Sequence, residues 1–437
     1  MTKNRSDNVN TRNLVVDILL AVTRDGEFSH IAIRDVLDKY RYLPKQDRAF
    51  ITRLSQGSIE RMIELDAIIN QFSKTKVKKM KPVIAAILRS GVYQLKYMDS
   101  VPDSAACNEA VKLTVKRGFS GLKGFVNGVM RSIARNMDQV KLPDAKKEPV
   151  KYLSVRYSVP EWMVQHFTEQ YGKEACEKIL EAFLQPHPTS VQVDIERISM
   201  EEITESLKQQ GITVKKNDQV ERALFLSGYE ALDEIEEFEN GLLYVQDTAS
   251  MLAVELAAPK MGDQVIDVCA APGGKSVYVA RMIGADGHVE ARDLTEYKVE
   301  MIEDNIDRCQ LSNMTAKVWD ARVFDQSAEQ KADVVIADLP CSGLGVIGTK
   351  TDIKYNASEE KIAELAALQQ EILGVVCRYV KAGGTLLYST CTMTKEENED
   401  NVHKFLTEHA DFELEQMRQC FPYEGCDGFF MAKMHRR

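Results

Sequence analysis

From about residue 240 to its end, the sequence alternates short apolar runs with helical ones. "DQVIDVC", "HVEARD", "TAKVWD", "ADVVIAD" and "GTLLYST" read as strands, and runs such as 295–309 and 358–380 read as helices between them. Parallel neighbours in a sheet must be joined by crossovers, so this rhythm predicts a parallel, doubly wound sheet. It also fixes where function can sit, because such sheets bind ligands beyond the carboxyl ends of their strands. Asp267, Asp293, Asp320, Asp338 and Cys391 all fall at expected strand ends. Five polar residues there exceed what loop chemistry alone would supply. "DGFFMAKMHRR" reads as a last, edge strand.

The rest of the chain has other periods. Residues 10–136 read as all-helical: Leu65, Ile68, Ile69 and Phe72 share one helical stripe, and "KPVIAAILRSGVYQL" repeats it with Ile84, Ile87 and Leu88. "QVKLPDAKKEP" (139–149) has no apolar period and two prolines, as a linker would. Residues 150–235 begin with helical stretches around "EWMVQHFTEQYG" and "KEACEKILEAFL". They continue with a strand at "TSVQVDI", a helix closed by Gly211, and strands at "GITVKK" and "ALFLSG". The expected architecture is therefore multidomain: an all-α unit over 1–140, a small α+β unit over 150–235, and an α/β Rossmann-like unit over 236–437. A chain of 437 residues has room for about three domains.

Charge separates the parts. The net charge is −10, yet residues 1–140 carry 24 lysines and arginines against 14 aspartates and glutamates. A basic first segment on an acidic protein points to a polyanion partner, although lysine-rich helices are also simply well solvated. No apolar stretch is long enough to span a membrane, and "MTKNRSDNVNTRN" lacks the apolar core of a secretory signal. The nine cysteines are odd in number and form no C-x-x-C pair. Reduced thiols in a cytoplasmic protein are expected, with no structural metal and a monomeric chain.

"IDVCAAPGGKS" (266–276) places a glycine turn between a strand and a helix. A P-loop requires G-x-x-x-x-G-K-[ST]. Here Cys269 stands where its first glycine must be, and Pro272 has no N–H to offer a phosphate. "VVIADLP" passes for the acidic strand of an ATPase, so that alternative has two near-misses. The dinucleotide fingerprint fails as well, since only Gly273 and Gly274 are present. Asp293, at the next strand end, suits a ribose diol. A ribose acid without a pyrophosphate cradle points to an adenosine cofactor lacking phosphates, and S-adenosylmethionine fits. For any one of these aspartates, a turn or helix cap is the plainer reading.

"ADLPCSGLG" places Cys341 three residues beyond Asp338, and "LLYSTCTMTKEENE" places Cys391 at a strand end. Most cysteines are inert and buried, which is the expectation for Cys107, Cys176, Cys309 and Cys377. Cys341 and Cys391 stand next to turn residues at the functional edge of the sheet. A thiolate there can add to carbon-6 of a pyrimidine and make carbon-5 nucleophilic toward the methyl of a sulfonium. A positive sulfonium favours a nearby thiolate. Asp338 is suited to bind or protonate the base edge. Chemistry alone leaves open which cysteine attacks.

"DVCAAPGGKS", "ADLPCSGLG" and "STCTMTKEENE" together resemble the RNA cytosine-5 methyltransferases of the NOL/NOP/Sun family. "DRAFITRLSQGSIERM", "ILRSGVYQLKYMDSVPDSAACNEAVKL" and "GFVNGVMR" resemble a NusB-type RNA-binding helical bundle. The combination, over nearly the whole chain, resembles the bacterial branch acting on small-subunit (16S) ribosomal RNA. The same chemistry on another RNA, such as a tRNA, is the near alternative, and a NusB-like regulator with an idle enzyme domain is a further one. The resemblance implies that Cys391 is the nucleophile and that Cys341 assists release of the methylated base. It implies that Cys269, Ala270, Ala271, Pro272, Gly273, Gly274 and Lys275 wrap the methionine and ribose side of S-adenosylmethionine. Asp293 would take the ribose hydroxyls, Asp320 would lie near the adenine amine, and Asp338 would lie between cofactor and base. Lys275 would organise the site and grip no phosphate.

Two stretches depart from the family pattern. Gly348, Thr349 and Thr351 stand where two basic residues and a proline are usual, with Lys350 kept. Gln192 and Asp194 stand where an arginine and an asparagine are usual. Both stretches are candidates for RNA contact.

Overall fold

A computed structural model describes residues 9–186 and 188–437; the first eight residues of the basic segment, with most of the N-terminal stretch read above, lie outside the described residues. Contacts gather the chain into two compact units. One comprises the residues up to Leu184 with Thr349–Asn356; the other comprises Gln185–Gly348 with Ala357–Arg437.

The first unit is helical: α1 (Thr11–Thr23), α2 (Ser29–Lys39), α3 (Lys45–Glu60), α4 (Met62–Phe72), α5 (Pro82–Tyr97), α6 (Asp103–Lys116), α7 (Lys123–Arg135), α8 (Pro149–Tyr157), α9 (Glu161–Tyr171) and α10 (Lys173–Ala182). Helix α5 opens on Pro82, where the missing N–H has no helical partner to lose. It buries Ile84, Ile87, Leu88 and Val92 against the predicted α4 stripe of Leu65, Ile68 and Ile69 in one core. Gly57 lets α3 approach α5, since a Cβ there would lie 2.0 Å from Cζ of Tyr93. Packing places α8–α10 with this unit. Lys74, Lys76, Lys78, Lys79 and Lys81, between α4 and α5, are all exposed.

The second unit carries two sheets. The smaller has strand order β2-β3-β1-β4 and is antiparallel throughout, built from β1 (Thr189–Val193), β2 (Thr213–Lys216), β3 (Ala223–Ser227) and β4 (Leu243–Val245). Helix α11 (Met200–Gln209) buries Ile203 and Leu207 against it, and a capping box of Ser199 and Glu202 starts the helix. The short helix α12 (Glu236–Glu239) leads into β4. Strand β4 had no sequence signal: at three residues it is too short to show a period, and tertiary pairing with β1 makes it a strand.

Helix α13 (Thr248–Ala257) precedes the larger sheet. There β5 (Gln264–Asp267), α14 (Gly274–Ile283), β6 (His288–Asp293), α15 (Glu296–Cys309), β7 (Met314–Val318) and β8 (Ala332–Asp338) follow the predicted alternation. After α16 (Ile353–Asn356), whose Lys354 is buried and donates to the Glu60 carbonyl at 2.7 Å within the helical unit, come α17 (Glu359–Val376), β9 (Val380–Thr390), α18 (Glu399–Glu408), β10 (Phe412–Cys420) and β11 (Phe429–Arg436). The order is β10-β11-β9-β8-β5-β6-β7, with β9, β8, β5, β6 and β7 parallel and β10 and β11 antiparallel.

One expectation is corrected here. "DGFFMAKMHRR" is β11, and it is internal, paired on both sides by β10 and β9. The edge strand is β10, which the sequence reading did not identify. "FELEQMRQC" buries only its two ends, so it lacks the alternation of a half-buried strand.

The strand order reverses between β5 and β8. Asp267 and Asp338 are the last residues of these two strands, so they flank the crevice opened by that switch.

Candidate active site

The turn after β5 is held by its backbone. Gly273 adopts φ 107° and ψ 4°, a left-handed conformation in which a side chain would be strained. A Cβ on Gly274 would meet Cε1 of Tyr244 at 3.2 Å. The Ala271–Pro272 peptide is cis. Ala270 N–H donates to the Arg292 carbonyl at 2.8 Å, and Ala271 N–H donates to Oδ2 of Asp293 at 3.0 Å. The turn is thus tied to the end of β6.

Both groups that a P-loop would turn to phosphate and magnesium are committed elsewhere. Lys275 Nζ donates to Asp338 Oδ2 at 2.6 Å and to Ser250 Oγ at 2.8 Å, and lies 4.9 Å from the Phe429 ring centre. Ser276 Oγ donates to Asp267 Oδ2 at 2.7 Å. A cavity of about 150 Å³ opens beside them, lined among others by Tyr244, Gln246, Ser250, Cys269, Lys275 and Asp338. Asp267 also faces it, and burial pushes its carboxyl up to about 7. Burial pushes the Cys269 thiol up strongly, so Cys269 serves as a neutral wall of the cavity. Among the described residues Lys275 is the one ammonium of the lining and is paired with Asp338, so the lining has no uncommitted cation to hold a triphosphate.

Asp293 is buried and satisfied on both oxygens, with Leu294 N–H at 2.7 Å and Lys298 Nζ at 2.9 Å on Oδ1. Asp320 lies two residues beyond β7 and forms a bidentate pair with Arg322 at 2.7 and 3.0 Å; those hydrogen bonds hold its carboxyl below the usual range. Neither residue lines the cavity.

The two cysteines do converge. Cys341 follows β8, Cys391 follows β9, and their Sγ atoms lie 3.1 Å apart. The neighbouring sulfur and burial push the Cys341 thiol up. Asp338 joins this pair to the glycine turn: Oδ2 takes Lys275, and Oδ1 accepts from Ser389 Oγ at 2.8 Å.

Beneath the cysteines lies a buried polar network built around the "TKEENE" stretch, which carries no catalytic signal in the sequence. Glu397, fully buried, accepts from Ser342 N–H at 2.8 Å, from Ser342 Oγ, from Thr394 Oγ1 at 2.7 Å and from Gln369 Nε2 at 3.1 Å. Gln369 also donates to the Pro340 carbonyl at 2.8 Å. Asn398 Oδ1 accepts from Thr390 Oγ1 at 2.6 Å, and its Nδ2 donates to the Thr392 carbonyl at 3.2 Å. One side of the network holds the Cys341 loop and the other holds the Cys391 loop. The signal in the sequence was three adjacent polar residues, Glu396 to Asn398, after a strand end, where a solvated turn is the ordinary reading. Gly345 completes the arrangement: its N–H donates to the Cys391 carbonyl at 3.0 Å, and a Cβ on it would lie 1.7 Å from the Gly428 carbonyl oxygen.

Gln192 and Asp194 are not surface candidates. Both are buried. Gln192 donates to Gln246 Oε1 at 2.8 Å and to the Gly274 carbonyl at 3.2 Å, and accepts from Arg281 at 3.0 Å. Asp194 pairs with the same Arg281 at 3.4 Å. They brace helix α14 and the cavity wall from the small sheet. Side chains on a strand alternate between faces, and the sequence does not tell which face meets a neighbouring layer.

A doubly wound, mostly parallel sheet, with a glycine turn at its switch point whose lysine and serine are bound to aspartates, is the fold of the Rossmann-like methyltransferases. Comparisons with known proteins agree at the level of sequence. The family model described as "16S rRNA methyltransferase RsmB/F" matches residues 254–435, that of the NusB family matches 9–135, and an RsmF/B-like ferredoxin-like domain matches 159–232. The "Probable ribosomal RNA small subunit methyltransferase B" of Bacillus subtilis (strain 168) is 36% identical over 446 residues, covering 98% of each chain. Its counterpart in Synechocystis sp. is 30% identical, covering 98% of this chain and 100% of that one. The crystal structure of PH0851 aligns with TM-score 0.82 at 25% identity over 99% of this chain and 100% of that one. A methyltransferase homolog from Pyrococcus horikoshii aligns with TM-score 0.58 at 25% identity, covering 65% of this chain and 98% of the other. The chain belongs to the ribosomal RNA small subunit methyltransferase B family.

Proposed function

We propose that this protein methylates carbon-5 of a cytosine in small-subunit ribosomal RNA through a covalent adduct with Cys391. The observation that carries the reading is the meeting of Cys341 and Cys391 at 3.1 Å, on the loops after β8 and β9, with Asp338 at the end of β8 bonded to Ser389. S-adenosylmethionine, when bound, supplies an electrophilic methyl group and a positive sulfonium. Its place is the cavity beside residues 269–275, where Asp338 offers a carboxylate partner to a cation. Asp293, which also ties the turn to β6, would take the ribose hydroxyls, and Asp320 would lie near the adenine amine.

The chain's residues then divide the work. Cys391 thiolate adds to carbon-6 of a cytosine flipped from its stack. Asp338, oriented by Lys275 and Ser389, accepts hydrogen bonds from the base edge. After methylation the carbon-5 proton passes to a solvent base, the electron pair left at carbon-5 forms the ring double bond, and Cys391 is expelled from carbon-6 as a thiolate. Cys341, whose thiol is pushed up and lies 3.1 Å from that sulfur, assists release by giving its proton to the departing Cys391. The exposed lysines between α4 and α5 hold flanking RNA through phosphate contacts. This reading places a monomer in the cytoplasm. Among the described residues no helix is long and apolar enough to cross a membrane.

Bisulfite sequencing of ribosomal RNA from cells lacking the protein tests the reading. One small-subunit cytosine should lose its protection. Unchanged ribosomal RNA would reject it, and loss of a mark in tRNA instead would move the same chemistry to another substrate.

A further inference from the structure

Away from the active cysteines, β10 and β11 are joined by a compact turn. Strand β10 ends on Cys420, a single 3-10 turn spans Pro422–Glu424, and Gly425 reverses the chain at φ 83° before Cys426. The reversal brings the Cys420 Sγ, a Glu424 carboxylate oxygen and the Cys426 Sγ within 4.8 Å of one another. Both cysteines are buried and free, and Glu424 is partly exposed. The C-x5-C spacing hides this group from a search for C-x-x-C pairs.

We propose that Cys420, Glu424 and Cys426 form a binding site for a thiophilic divalent cation, with Zn²⁺ the ion that fits best. Two thiolates and one carboxylate match the ligand preference of Zn²⁺, and three protein ligands leave one position for water. A carboxylate in the set disfavours Cu⁺, which prefers sulfur alone. Two thiolates and a carboxylate around a divalent ion leave one negative charge. Arg418 supplies its counterpart, donating to Glu424 Oε2 at 2.9 Å. The surroundings are already fixed: the Glu424 carbonyl accepts from Gln219 Nε2 at 2.9 Å, and Asp427 N–H donates to Asp247, the N-cap of α13, at 3.1 Å. An ion here would pin the edge hairpin of the large sheet to α13 and to the loop after β2. The site is structural and independent of methyl transfer.

The test uses the full-length protein, kept reduced, stripped with a chelator and titrated with Zn²⁺ against a chromophoric chelator. One equivalent should bind. Cys420→Ser and Cys426→Ser should each weaken binding at least about a hundredfold, and Glu424→Gln about tenfold. Co²⁺ should give a thiolate charge-transfer band that both serine variants lose. Zinc should also raise the Tm of the wild-type protein and not that of the serine variants. Cys341 and Cys391 form the competing thiol pair, so Cys341→Ser with Cys391→Ser is the control and should bind normally. Binding that vanishes in that control and survives in Cys420→Ser overturns the site. So does the absence of stoichiometric binding, or a Cys420–Cys426 disulfide in protein from freshly lysed cells. Should the serine variants fail to fold, Glu424→Gln at the surface decides, and unchanged affinity in it rejects the three-ligand site.

Discussion

Cys341 and Cys391 stand 50 residues apart in the chain and 3.1 Å apart at their sulfurs. Neighbouring parallel strands β8 and β9 end side by side, so the first loop beyond each delivers its cysteine to the same point. The pair assigns opposite outcomes to two substitutions. Cys391→Ala should lower methyl transfer by about a thousandfold or more, with S-adenosylmethionine binding retained. Cys341→Ala should accumulate a protein–RNA adduct, visible as a shifted band on a denaturing gel. An adduct in Cys391→Ala instead reverses the roles.

Glu397 is expected to act on kcat without touching the cofactor. Glu397→Gln replaces an acceptor by an amide whose NH₂ meets donors, leaving a bond to the Cys341 loop unmade. A loss of about 1–3 kcal/mol in stability should follow. The kcat should fall at least about tenfold, with the Kd for S-adenosylmethionine unchanged. Equal activity of the variant would show that the network does not position the cysteines.

Gly345→Ala should cost more. The new methyl would meet backbone atoms only, at 1.7 and 2.5 Å from Gly428 and 2.9 Å from the Cys391 carbonyl, and none of these can rotate away. Overpacking of this kind costs about 3 kcal/mol. Urea unfolding should show a lower midpoint with the same m-value, and activity should fall with it.

Asp267 gives the protein a pH dependence of known sign. Burial raises its carboxyl to about 7, so the folded protein holds this proton more tightly than the unfolded chain does. The stabilising contribution is full below the unfolded pKa of about 4 and is lost as pH rises to about 7. Asp267→Asn keeps the shape and the acceptor for Ser276. The unfolding free energy of wild type minus that of the variant should therefore decline by a few kcal/mol between pH 4 and 8. A flat difference would show that Asp267 does not titrate in this range.

The lysines between α4 and α5 are expected to set the salt dependence of RNA binding. Replacing Lys74, Lys76, Lys78 and Lys79 by alanine should reduce the slope of log K against log salt by as much as about 0.7 per lysine. An unchanged slope would place the RNA on another surface.

The sequence by itself determined the α/β alternation, the helical first part, the glycine turn and the pair of cysteines at strand ends. These are local signals: a period of two or 3.6, a glycine before a helix, a cysteine after an apolar run. They are written in neighbouring residues because secondary structure depends on neighbouring residues. Tertiary structure alone decided that β11 is internal and β10 the edge, since strand order is a choice among partners distant in sequence. It alone turned Lys275 toward Asp338 and gave Gln192 and Asp194 to Arg281, away from the surface. It also made Glu397 a buried hub for the two cysteine-bearing loops, where the same three polar letters in sequence would serve equally as a solvated turn. A side chain's type limits the bonds it can make; only the packing around it sets which of them form.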